Sequence, residues 1–183
     1  LILSPVIIWA AWKWLLLDHQ KQRIMVLFNP ELDPLGTGYQ QSQGKLALQS
    51  GGFWGKGLFS GGSEEFIYVS ESQNDFIFSY AGQTVGFVGC GVIILILFAI
   101  CLRLVIDNSK CSQPGCSVCA GVFGLIFSHT FINIGMVLGF MPVIGVPLPF
   151  FSAGGTAVLT MLTAMGLVQS SLKSGKTDNG TTA

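Results

Sequence analysis

The sequence predicts an all-α polytopic membrane protein, and three observations carry that prediction. Half of the 183 residues are hydrophobic and only 10% are charged, whereas a soluble domain carries roughly a quarter. No Asp, Glu, Lys or Arg occurs in the 62 residues between Lys110 and Lys173, and a proline-rich break divides that stretch into two runs of spanning length. A third uncharged run, Val85 to Leu102, has 18 residues; at about 1.5 Å per residue it covers roughly 27 Å, close to the hydrocarbon thickness of a bilayer. The formal net charge is zero, so the basic footprint of a nucleic-acid-binding protein is absent and no nucleic-acid partner is expected.

The elements follow in order. The chain opens inside the apolar segment "LILSPVIIWAAWKWLLL" without the basic region and cleavage site of a signal peptide. Residues 1–17 therefore read as the end of a span, in a fragment whose N-terminal part is absent. Residues 18–75 form a large loop containing the turn-rich "NPELDPLGTGY" and nine glycines between Gly36 and Gly62. Loops of this length are as a rule functional or disordered. Leu32, Leu35, Tyr39, Leu46, Leu48, Phe53, Trp54, Leu58 and Phe59 give this one apolar surface to pack on the membrane face. Within it, "GYQQSQGKLALQSGG" predicts a short surface helix between Gly38 and Gly51, with Tyr39, Gln43, Leu46 and Ser50 on one side.

A spanning helix is expected at 76–105, with Arg103 as its interfacial anchor. A connection at 106–117, a second helix at 118–140, a prolyl turn at 141–147, a third helix at 148–168 and a tail at 169–183 complete the chain. The 106–117 side carries Arg103 and Lys110 and the tail carries Lys173 and Lys176, while "MPVIGVPLPFF" has no charge. The positive-inside rule then puts the basic ends in the cytoplasm, and the long loop and prolyl turn outside.

Several motifs are better read as structure. "GGFWGKG" places Gly57 after Lys56 where a P-loop needs Ser or Thr, and "SGKT" lacks the upstream glycine. Cys111, Cys116 and Cys119 lack a fourth ligand for zinc, and Cys90 and Cys101 sit inside an apolar run. His129 and Asn133 share a helix face, a spacing that suits an interhelical hydrogen bond better than a proton relay. Gly82 with Gly86, and Gly135 with Gly139, are small-xxx-small patterns that allow close helix packing.

The stretch that carries chemistry is "SESQNDFIFSYAGQ", residues 70 to 83. Asp75 immediately before an apolar run reads as an N-cap residue. An acid at the outer edge of a membrane, with apolar walls, also suits a general base. Glu71 adds a second charge able to tune Asp75, orient a substrate or join it in holding a divalent ion. Lys45 and Lys56 are the nearby cations for a phosphate-bearing substrate.

"NPELDPLGTGYQQSQGKLALQSGGFWGKGLFSGG", "NDFIF", "GFVG" and "NIGMVLGFMPVIGVPLPFFSAGG" occur in that order between about Arg23 and Ser170. Together they resemble the SEDS family, the RodA/FtsW/SpoVE group of bacterial cell-wall proteins. The resemblance implies a bundle of about ten helices, of which this chain is the last four spans, with a large extracellular loop before the eighth. It implies a multi-pass protein of the bacterial cytoplasmic membrane whose outer face polymerises lipid II, the undecaprenyl-pyrophosphate-linked precursor of peptidoglycan. Asp75 maps onto the family's essential acid. In the implied inverting reaction it deprotonates the acceptor sugar's 4-hydroxyl. Lys45, Lys56, Gln43, Glu71 and Ser152 are the substrate-binding candidates. No tightly bound cofactor is implied, and a divalent cation (magnesium or manganese) held by Asp75 and Glu71 is the metal option. The implied partners are a class B penicillin-binding protein as transpeptidase and other proteins of the elongation or division complex.

The chain departs from the family at Ser70, where Pro is usual, at Gln83 and Thr84, where acids are usual, and at Ala153 in "SAGG", where Tyr is usual. The base is kept while its surroundings differ, which also suits a less active or sporulation-specific paralogue. "PLGTGY" and "GVPLP" resemble the elongation type. A lipid II flippase or transporter gated by Asp75 and His129, or a non-catalytic scaffold, is the competing function; ionisable residues gathered at the outer edge favour surface chemistry over transport. The 183 residues alone are expected to be inactive, because their spans leave packing faces open.

Overall fold

A computed structural model describes residues 13–14, 17–57, 67–69, 74–109 and 113–180, and among these every regular element is helical. The expected span at residues 1–17 lies almost entirely outside the described residues. Helix α1 (Asp18–Phe28) starts where the Leu17 N–H donates to Gln20 Oε1 at 3.1 Å. A 3-10 turn, Pro30–Leu32, leads to Asp33, whose Oδ2 accepts from the Thr37 N–H at 2.8 Å and from the Thr37 hydroxyl at 3.1 Å. That carboxylate starts helix α2 (Thr37–Ser50).

Helix α2 is the expected surface helix, but it packs on another face. Its buried residues are Gly38, Gln41, Gly44 and Ala47, while Tyr39 and Leu46 are exposed. Close approach decides this. A side chain at Gly44 would run into Phe76 and Ser79, and one at Gly51 into the carbonyl of Gly82. Small residues therefore face the neighbouring helix, and the larger apolar ones face outward.

That neighbour is α3 (Ile77–Asn108), followed by α4 (Gln113–Leu138) and α5 (Gly155–Gly180). These three are the helices long and apolar enough to cross a membrane among the described residues. Helix α3 is broken at Gly86, whose φ of 69° and ψ of −169° only glycine adopts readily. Beyond the break, Phe87–Asn108 still extends about 33 Å, enough for a bilayer.

Four of the backbone groups at the break are bonded to residues 52–57. The N–H groups of Lys56 and Gly57 donate to the carbonyls of Gln83 and Thr84 at 2.9 Å each, and those of Phe87 and Val88 donate to Gly52 and Phe53 at 3.0 and 3.3 Å. Irregular backbone near lipid is tolerated only when satisfied in this way. The Gly82–Gly86 pattern thus accommodates the loop after α2 rather than a second spanning helix. Gly139 has a similar use: with φ of 80° it ends α4 in a Schellman motif, with Phe140 N–H to Gly135 O at 2.8 Å and Gly139 N–H to Met136 O at 3.1 Å.

The last helix begins at Gly155 rather than at Leu148. Leu148 to Gly154 instead form turns, because Pro147 and Pro149 withhold N–H groups and Phe150 takes a φ of 65°. Two apolar clusters hold the bundle. The first centres on Ala47, Phe76, Phe78, Met136 and Leu148, the second on Leu104, Cys119, Ile126 and Met161, and Phe150 packs against both.

Candidate active site

Asp75 occupies the turn 74–76 that leads into α3. It is not the cap that spacing suggests: the N-cap position is Phe76, with no side-chain cap. The buried rings of Phe76 and Phe78 force this arrangement. Phe76 sits against Gly44 of α2, which leaves Asp75 half-buried at the rim. Its main chain is tied down from the opposite side by Asn133 of α4, whose Nδ2 donates to the Asp75 carbonyl at 2.8 Å and to the Val146 carbonyl at 2.7 Å. The Asp75 carboxylate lies over Gly145, where an added Cβ would stand 3.1 Å from Oδ2. Gly145 also has a φ of 82°, so glycine both makes the bend and clears the space.

The segment from Met141 to Leu148 has no regular structure, so its carbonyls must find side-chain donors or water. Three elements supply donors. Gln41 of α2 donates Nε2 to Met136 at 2.9 Å and Met141 at 3.0 Å, Arg23 of α1 donates Nη1 to Val143 at 2.9 Å, and Asn133 reaches Val146. The prolyl connection is therefore a fixed wall beside Asp75. Arg23, Gln41 and Asn133 are not among the residues the sequence marks out for the site. Their signal is present in hindsight: a long uncharged stretch with three prolines creates orphan carbonyls, and polar side chains placed around it are the natural donors.

The other candidates spread around this wall. The Lys45 ammonium lies over Gly139, in the place any side chain there would need, at the C-terminal end of α4 where a cation is favoured. Asp75 and Lys45 thus border the same connection. Lys56 contributes its backbone N–H to the Gln83 carbonyl beside the α3 break, about 12 Å further along the helix from Asp75. Gln43 is half-buried on α2. Ser152 is buried, and its hydroxyl has no partner among the described residues. Glu71 and Ser70 lie outside the described residues.

Asn133 makes its bonds to loop carbonyls rather than to another helix, and the His129 Nδ1 above the same face has no partner among the described residues. The described residues contain no group of three His, Cys, Asp or Glu side chains able to hold a metal ion. A divalent cation therefore finds no protein-built cage in them, and no chemical step is assigned to one. Cys116 donates its thiol to the Asn108 carbonyl at 3.2 Å and Cys119 is part of the second apolar cluster.

The family model described as "Cell cycle protein", covering FtsW, RodA and SpoVE, matches residues 1–176. The chain belongs to this family. Among curated relatives, the SEDS chain is 37% identical over 170 residues to "Peptidoglycan glycosyltransferase MrdB" of Escherichia coli (strain K12), covering 92% of this chain and 46% of the relative. It is 39% identical over 152 residues to "Stage V sporulation protein E" of Bacillus subtilis (strain 168), covering 82% of this chain and 41% of the relative. A solved structure described as "Structural coordination of polymerization and crosslinking by a peptidoglycan synthase complex" superposes with a TM-score of 0.68 at 26% identity, over 91% of this chain and 45% of that one. The chain thus spans about half the length of the relatives it matches. Membership and three spanning-length helices together make it a multi-pass membrane protein.

Proposed function

We propose that the SEDS protein to which this chain contributes is a peptidoglycan glycosyltransferase that extends glycan strands from lipid II at the outer face of the bacterial cytoplasmic membrane. The observation that carries the reading is the placement of Asp75: a half-buried carboxylate at the mouth of the helix bundle, held over Gly145 by a wall with no charge of its own. Such a carboxylate accepts the proton of the acceptor sugar's 4-hydroxyl. The oxygen attacks the donor's anomeric carbon, the bond to the pyrophosphate breaks, and the lipid pyrophosphate leaves with the electron pair, inverting the α-linked donor to a β-linked product. Lys45 of α2, over Gly139 where the connection begins, offsets charge on the departing pyrophosphate in this reading. The names of the relatives support the same reaction class.

The words describing the solved neighbour, polymerization and crosslinking in one synthase complex, support a class B penicillin-binding protein as partner. A transport reading would make use of the broken helix α3. Against it, the carbonyls of Gln83 and Thr84 and the N–H groups of Phe87 and Val88 at the break are bonded to residues 52–57, and no ionisable side chain belongs to the break itself.

The test reconstitutes the full-length protein with its cognate transpeptidase in vesicles carrying labelled lipid II, with and without chelator. Glycan ladders are the expected product. Translocation of labelled lipid II without any polymer would overturn the assignment in favour of a flippase.

A further inference from the structure

We infer that Asn133 is a positioning residue for the glycosyl transfer: its side-chain amide fixes the separation between the main chain of Asp75 and the prolyl connection, and so aims the Asp75 carboxylate. The inference rests on the reading of Asp75 as the general base. Asn133 is fully buried, and one nitrogen serves two carbonyls that belong to different parts of the fold, Asp75 at 2.8 Å and Val146 at 2.7 Å. The amide orientation follows from these neighbours, since two carbonyl acceptors require the NH2 group. Its Oδ1 is left without a partner among the described residues. A buried acceptor left unpaired is costly, so the side chain is used as a double donor at the expense of its own acceptor.

What this double bond spans is the geometry that matters. On one side is the Cα of the base, and on the other is the backbone one residue after Gly145, whose missing side chain makes room for the Asp75 carboxylate. The Asn133 amide joins the Asp75 carbonyl to the connection at Val146, whereas Gln41 and Arg23 grip the connection at Met141 and Val143. Displacing a catalytic group by about 1 Å costs up to about a hundredfold in rate. Asn133 touches neither substrate nor reacting atoms, so its loss acts on turnover through Asp75.

Gln41 provides the matched control. It is equally buried, and it too donates one Nε2 to two backbone carbonyls, Met136 and Met141, at 2.9 and 3.0 Å. Its anchor is at the far end of the connection from Asp75. A purely structural role predicts the same behaviour for both residues, whereas a positioning role separates them.

The experiment compares Asn133→Ala, Asn133→Leu and Gln41→Ala in the full-length protein bound to its transpeptidase. It measures thermal midpoint, kcat and KM for lipid II polymerisation, with Asp75→Asn alongside. Expected are comparable losses of thermal midpoint for the Asn133 and Gln41 variants. The Asn133 variants should lower kcat about 10- to 100-fold with KM within about threefold, and Gln41→Ala should lower kcat by no more than about threefold. Equal kcat losses at the two sites, or Asn133 variants that keep kcat within threefold of the parent, would overturn the inference. Asp75→Asn reports separately on the underlying reading: if it polymerises like the parent, the base assignment fails and takes the positioning role with it, whatever the Asn133 variants do.

Discussion

The two halves of the bundle are built on different principles. In the half that holds Asp75, α2, residues 51–57, the first turns of α3 and the prolyl connection meet through glycines and side-chain amides. Gly51 lies on Gly82 and Gly55 on Gly86, while Gln41 and Asn133 are both buried. In the other half, α3 beyond Gly86 meets α4 and α5 through Cys101, Leu104, Ile126 and Met161, while Phe98, Leu102, Val105 and Phe127 point outward. Apolar side chains facing out are ordinary where lipid is the solvent, and packing supplies the cohesion. The difference teaches where precision is kept. Hydrogen bonds to defined carbonyls fix positions to a few tenths of an ångström, so the half that uses them is the half that holds Asp75.

Substitutions in the two halves should break differently. The largest loss is expected from Gly86→Ala, because the backbone there is open only to glycine and a Cβ would collide with the main chain of Phe53 to Gly55. A cost of about 3 kcal/mol or more, read as lost folded yield and a lower thermal midpoint, should remove activity along with the fold. Next is Gly145→Ala, which strains a φ of 82° and crowds the Asp75 carboxylate. Polymerisation per folded molecule should fall about 10- to 100-fold, well beyond what its thermal shift explains. Leu104→Ala in the half away from Asp75 should cost about 2 kcal/mol, the low end for a buried leucine, because lipid weakens the transfer contribution; turnover per folded molecule should be unchanged. The smallest effect belongs to Lys21→Gln, which breaks the Lys21–Asp18 pair at 3.5 Å and leaves Asp18 fully exposed to water. A loss at the edge of detection, fading with added salt, is expected in thermal denaturation.

Much of the fold is legible in the sequence because it rests on composition. The uncharged runs mark α3, α4 and α5, and "NDFIF" marks Asp75. What escapes is set by partners that a pattern does not name. The spacing of Gly82 and Gly86 fits a helix interface and a helix break equally well, and only the loop at 52–57 chooses between them. Asp75 has the composition of a cap, yet the burial of Phe76 moves the N-cap position onward by one residue. Asn133 is visible as a polar residue in an apolar helix, but its acceptors are carbonyls of an irregular segment whose path the sequence does not specify.

Gln83 is a further case. With its amide oriented to suit its neighbours it donates to the Ile67 carbonyl at 3.1 Å and accepts from the Ile67 N–H at 2.6 Å. A carboxylate is unable to make the first of those bonds, so the substitution at this position, seen in sequence only as a departure, is consistent with the local backbone.

The most direct measurement uses the full-length protein with Asp75→Asn, purified in complex with its transpeptidase, shown to be folded by an unchanged thermal midpoint, and incubated with labelled lipid II beside the parent. Asparagine keeps the size and the backbone carbonyl that Asn133 grips, and removes only the carboxylate. The account predicts ladders from the parent and none from the variant. Ladders of parental length and rate from the folded variant would contradict it, leaving Asp75 as a structural residue of the α3 turn.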